Sequence, residues 1–326
     1  MQPAGFIRRM MTFMGGLIIL PSLWSRLLVD HDMPLHPAID AERKEFYGTT
    51  STRLSYYVDT RGEGQPLVLI HSINAAGNAC EMKPIFDHYA GTRPVYALDL
   101  PGFGFSERSQ REYSPDLYCN AIMDFMTQVV GEKSDAIALS LGSEFLAMAA
   151  LNQPEMLQSA TMISPSGLTQ RDKKVSSQRA ADEESDEGIY KFLSNPLWAQ
   201  TFYDLLTTKP SIYFFLSQSF AGETNRDLAE YGYLMTHQPG ARYAPLYFVS
   251  GRLFTSDIFE QAYEKLTIPA MILYDRDNFV RFDRLPELLE KHSNWRARRI
   301  LNTMGLPQFE RMDSVAAALD AFWSDI

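Results

Sequence analysis

A chain of 326 residues, 45% hydrophobic and 21% charged, can bury one large core or two smaller ones and has the composition of a globular protein. Its net charge of −10, with no basic stripe to neutralise phosphates, excludes nucleic acid as the expected partner. The two cysteines, Cys80 and Cys119, make neither a disulfide framework nor a metal spacing, and read as buried thiols.

The chain starts unlike its remainder. Arg8 and Arg9 precede an apolar run from Met10 to Ser25, closed by Arg26. The run is short of the ~20 residues needed to span a bilayer, and Gly15, Gly16 and Pro21 weaken a spanning helix further. A basic start and apolar centre also suit a signal peptide, but no small-x-small cleavage site follows. The expectation is a helix over residues 8–29 lying on a membrane surface with Trp24 and the arginines near headgroups, on a cytoplasmic protein. The alternative is a segment packed on the main domain.

After a polar linker, two antiparallel strands are expected at Lys44–Thr49 and Arg53–Asp59. Pro66–His71 is a continuous apolar run, the mark of a strand buried on both faces. Helix (Glu81–Tyr89), strand (Pro94–Leu98), helix (Tyr113–Val130), strand (Ile137–Leu139), helix (Glu144–Leu151) and strand (Ser159–Ile163) follow. Such alternation predicts a parallel sheet with helices on both faces. It stops at residue 170. From there to about Leu266 the sequence is first polar, then helical and aromatic-rich, an inserted helical lid over 170–266. The sheet pattern resumes with a strand at Ile268–Tyr274, a helix at Leu285–Lys291, a strand at Arg296–Leu301 and a closing helix at Ser314–Ser324. The domains expected are therefore an N-terminal segment and linker (1–43), an α/β core (44–169 with 267–326) and the lid.

Within that frame Ala138-Leu139-Ser140-Leu141-Gly142 joins a short apolar strand to an Ala- and Leu-rich helix. Strand, tight turn and helix around small-x-Ser-x-Gly form the context of a nucleophile elbow, whose strained turn demands small neighbours.

Together with three further motifs, this stretch resembles the α/β-hydrolase family of the lid-bearing, serine-nucleophile type, over roughly residues 44–326. His71-Ser72-Ile73-Asn74 stands where the family has its oxyanion loop. Asp99-Leu100-Pro101-Gly102-Phe103-Gly104-Phe105-Ser106 is similar to the loop after the next strand. Tyr274-Asp275-Arg276-Asp277 closes a late strand where the family places its acid, and Asp277 is the better match. The resemblance implies an α/β-hydrolase fold with Ser140 as nucleophile, Asp277 as acid, and the N–H groups of Ile73 and Leu141 as oxyanion hole. It gives His71 a loop-shaping role and sets His71 and Asn74 beside the substrate. No cofactor or metal is expected.

The family's histidine belongs in the loop after the last strand. That stretch reads Asn302-Thr303-Met304-Gly305-Leu306-Pro307-Gln308-Phe309-Glu310, with Gly305 where histidine would stand and no histidine after His292. Without a base, a serine hydroxyl is largely unactivated near neutral pH. Three readings follow. The chain is an esterase- or lipase-like hydrolase of a small or lipid-like acyl ester that takes its base elsewhere, with lid residue His237 as the candidate. It is a catalytically silent ligand-binding relative. Or it is a membrane-associated accessory protein.

Overall fold

The computed structural model describes residues 20–50, 52–170 and 176–326, with side chains described from residue 184 onward in the helix that begins at 176. Residues 8–19, the larger part of the apolar start, lie outside the described residues. No described helix is long and apolar enough to cross a membrane.

One eight-stranded sheet organises the chain. Its strands are β1 (Glu42–Gly48), β2 (Thr52–Asp59), β3 (Leu67–Ile70), β4 (Val95–Asp99), β5 (Ser134–Leu139), β6 (Leu157–Ile163), β7 (Ala270–Tyr274) and β8 (Trp295–Arg299). The order across the sheet is β1-β2-β4-β3-β5-β6-β7-β8. The β1–β2 and β2–β4 pairs are antiparallel and every other neighbouring pair is parallel. Every expected strand is present, with ends shifted by one to three residues. The architecture is thus the expected α/β fold.

The parallel strands explain themselves by burial. All four residues of β3 and all six of β5 are buried, as a sheet covered by helices on both faces requires. Pro115–Phe125 packs on Gly142–Asn152 on one side, and Lys83–Tyr89 packs on Met312–Ser324 on the other. Between β5 and its neighbour β3 the chain reverses its direction across the sheet, so the carboxyl ends of these strands open onto the crevice where ligands bind in such folds.

From β6 to β7 the chain runs through the helices Ser176–Leu193, Ala199–Leu206, Lys209–Ser217, Arg226–Thr236 and Tyr243–Val249. The polar stretch at the start of the insertion contributes most of the first of these helices. One i,i+4 ion pair, Lys191 with Glu187, supports it, and Arg252 reaches Glu187 from the far end of the insertion.

Candidate active site

Ser140 follows the last residue of β5 with φ at +51°, left-handed backbone that an L-residue adopts only when its surroundings hold it there. Three contacts hold it. The Ser140 N–H donates to the Ile163 carbonyl at 2.8 Å, and the Ser140 carbonyl accepts from the Ser143 N–H at 3.0 Å. The Ser143 hydroxyl reaches back to the Ala138 carbonyl at 3.2 Å. Gly142 is small for a packing reason, because a β-carbon there would stand 2.6 Å from the His71 carbonyl oxygen. The elbow is therefore pressed against the loop after β3.

That loop is wired from below by Glu81. Its carboxylate accepts from the Ser72 N–H at 2.8 Å, the Ser72 hydroxyl at 3.0 Å and the Asn74 amide at 3.1 Å. Gln308, from the segment after β8, donates to the Glu81 carbonyl at 3.0 Å. Burial pushes the Glu81 carboxyl up to about 7 against the hydrogen bonds from Ser72 and Asn74, which pull it down. The Ile73 and Leu141 residues on either side of the crevice are buried. Among the described residues, neither of their backbone N–H groups has an acceptor.

The two aspartates after β7 are held differently. Asp275 is taken up structurally, accepting from Arg299 Nε at 2.7 Å and from the Thr303 N–H at 3.1 Å. Asp277 accepts from the N–H groups of Phe279 and Val280 at 2.7 and 3.2 Å through Oδ1. Its Oδ2 faces Gly305, where an added β-carbon would stand 2.7 Å away. Burial raises the Asp277 carboxyl above its ordinary value against those two backbone bonds. Ser164, buried with φ at +43° at the end of β6, sets its hydroxyl near this carboxylate without reaching bonding geometry. Ser140, Ile73, Asp277 and Gly305 thus all follow carboxyl ends of parallel strands.

The family model described as "Alpha/beta hydrolase family" matches residues 67–318. The chain belongs to this family. Among curated relatives of this α/β-hydrolase is pimeloyl-[acyl-carrier protein] methyl ester esterase of Aliivibrio salmonicida, 25% identical over 228 residues, covering 68% of this chain and 77% of that one. Similar solved structures include a serine hydrolase involved in carbazole degradation, at TM-score 0.68 and 16% identity over 87% of this chain and all of that one. An epoxide hydrolase aligns at TM-score 0.66 and 20% identity over 87% of this chain and 99% of the other. At these identities the solved structures establish the fold, and the curated relatives include an esterase and a semialdehyde hydrolase.

Each histidine of this α/β-hydrolase is engaged by groups near it. His71 is fully buried, and both ring nitrogens are used within the protein. Nδ1 donates to the Ser72 carbonyl at 2.6 Å, and Nε2 accepts from the Leu100 N–H at 3.0 Å. Burial holds it neutral, its pKa lowered to about 4. It pins two loops together and offers no nitrogen to a substrate. Asn74 is likewise occupied, its amide on Ser72 and Glu81 and its carbonyl on the Ala76 N–H. Both side chains are thus engaged in shaping the loop.

His237 caps the helix Arg226–Thr236 and turns its ring back on it. Nδ1 donates to the Tyr233 carbonyl at 2.8 Å, and the ring lies 4.0 Å from the Tyr233 ring, centre to centre. Its backbone carbonyl accepts from Met33, so the surroundings are the linker after the first helix. His31 binds Asp204, His36 packs on Tyr231, His88 on Tyr89, and His292 ends a helix. Among the described residues, no histidine hydrogen-bonds Ser140. The role considered for His237 as base has no support in this geometry, because a helix C-terminus gave its ring a nearer acceptor.

Glu81 is a residue that the sequence reading missed. The available signal was a lone carboxylate in the otherwise apolar Ala79-Cys80-Glu81-Met82, since a charge buried there requires partners.

Proposed function

We propose that the protein is a serine hydrolase of small or lipid-like acyl esters whose triad lacks its histidine. The observation that carries this reading is the pair of unclaimed N–H groups, Ile73 and Leu141, flanking a left-handed Ser140. In this reading the Ser140 hydroxyl adds to the acyl carbonyl while its proton passes to solvent water, and the two N–H groups receive the charge that develops on the carbonyl oxygen. The alcohol then leaves with a proton from water, and a second water cleaves the acyl–serine bond to give the acid. Asp277 occupies the acid's place, with Gly305 in front of it in place of an imidazole. Binding and the oxyanion hole alone typically leave ~10³–10⁴-fold acceleration over water, so turnover is slow. The helical insertion acts as the lid over this crevice, and residues 8–29 hold the protein at a membrane surface.

The test is labelling by a fluorophosphonate from neutral to mildly alkaline pH, alongside turnover of p-nitrophenyl esters. Labelling lost in Ser140→Ala supports the reading. A folded protein that neither labels nor turns over esters supports the second reading, a silent ligand-binding relative. That second reading draws on the lack of any imidazole bonded to Ser140 among the described residues.

A further inference from the structure

Residues 20–28 are helical and dock on the insertion the wrong way round for a helix in water. Ser25 is fully buried, and its hydroxyl donates to Asp204 at 2.5 Å; the Ser22 and Thr201 hydroxyls stand 3.3 Å apart. His31, just past the helix, and Gln200 complete the shell around the buried Asp204 carboxylate. Leu20, Leu23 and Leu27 lie five before, two before and two after Ser25, about 160–220° around an axis that turns about 100° per residue. They are 71%, 47% and 73% exposed. The helix buries Ser25, half-buries Ser22 and presents its leucines.

A polar stripe inward and an apolar stripe outward is stable when the outer medium is itself apolar. The helix receiving it and the next helix add exposed Leu205, Phe214 and Phe215. Charge decides between a bilayer and a second copy. Within a chain of net charge −10, residues 1–29 carry Arg8, Arg9 and Arg26 and no Asp or Glu, and the run before the helix is apolar from Met10. Two such cationic segments repel one another, whereas an anionic lipid surface attracts both.

We propose that Leu20, Leu23 and Leu27 face an anionic lipid bilayer, with the helical insertion held between that bilayer and the sheet. This orientation rests on the membrane attachment proposed above. It places the insertion, rather than the sheet edge β1, toward the lipid, so that acyl substrates reach the crevice from the bilayer side.

The experiment is flotation of the full chain with phosphatidylcholine vesicles, with and without phosphatidylglycerol. The variant carries Leu20→Ser, Leu23→Ser and Leu27→Ser. The full chain floats with the phosphatidylglycerol vesicles, and the variant partitions at least ~10-fold more weakly. Because the stripe is exposed, the variant keeps the parent thermal transition. Brominated lipid quenches Trp24 fluorescence in the parent, and Trp24→Phe removes that component. If parent and variant float equally, attachment stands but this orientation is overturned. If the parent floats with neither vesicle, attachment and orientation both fall. A parent that dimerises without lipid, and a variant that does not, makes the stripe an interface between copies and also overturns the proposal.

Discussion

Gly305 lies directly against Asp277, with the carboxylate Oδ2 2.7 Å from where a β-carbon on Gly305 would stand. A side chain at 305 would therefore begin at the acid. The Gly305 backbone is not among the left-handed glycines, so nothing in its conformation requires glycine.

Gly305→His is thus conformationally admissible, at the expense of a small shift of the Asp277 side chain. Ester turnover should rise by at least ~10²-fold. It should also acquire a limb that grows with pH as the new imidazole loses its proton. Steady-state kinetics against pH checks this. A folded variant with no gain means Ser140 and Asp277 are not disposed as nucleophile and acid.

His237→Ala should cost less than ~10-fold in any ester turnover, against roughly 10²-fold or more for a general base. Its Nδ1 is committed to the Tyr233 carbonyl, and burial lowers its pKa. A loss of the larger size would mean that the insertion moves to bring the ring to Ser140.

Glu81→Gln should change how stability depends on pH. The Glu81 carboxyl is raised from its ordinary 4.5 to about 7 by burial, so the native state holds the proton over a window where the unfolded chain has released it. Stability from this group is fully present below pH about 4.5 and is lost as pH rises through about 7, at up to about 1.4 kcal/mol per pH unit. Glu81→Gln removes that slope. Denaturant midpoints across the window read it directly, and an unchanged slope assigns it to another group, with the buried Asp99, raised to about 7 by burial, the first to examine.

Gly104→Ala should destabilise the protein by at least ~2 kcal/mol. Gly104 has φ at +53°, and a β-carbon there would fall inside the Asp99 carboxylate. Calorimetry or urea unfolding measures it. A neutral result would mean the loop after β4 rearranges freely.

Much of this protein is legible one residue at a time. β3 and the end of β5 read as strands because a sheet covered on both faces favours runs of apolar side chains, and Val68 or Ile137 declares that without reference to any neighbour. The start of β5 does not, because its buried Asp135 is matched only by Arg93 and Ser159. The elbow reads because the tight strand-to-helix turn at Ser140 is written in the small residues at 138 and 142, although the contact that keeps 142 small, the His71 carbonyl, comes from a distant loop. Gly305 stands out for a similar reason, since its flanks keep a pattern that it breaks.

Tertiary structure decided whatever depends on which of two equivalent partners a side chain meets. Asp275 and Asp277 are chemically alike and two residues apart, yet Arg299 from β8 claims the first and leaves the second facing Gly305. His237 carries the same imidazole wherever it points, and a helix end supplied a closer acceptor than the crevice. Glu81 stands out in sequence as a lone carboxylate among apolar neighbours, but its partners Ser72 and Asn74 appear only once the chain has folded. An amphipathic helix has the same periodicity whichever face docks, so only the contact between Ser25 and Asp204 reveals that residues 20–28 turn their leucines outward. Composition and backbone geometry are properties of the chain alone, but orientation is set by the partners that folding brings within reach.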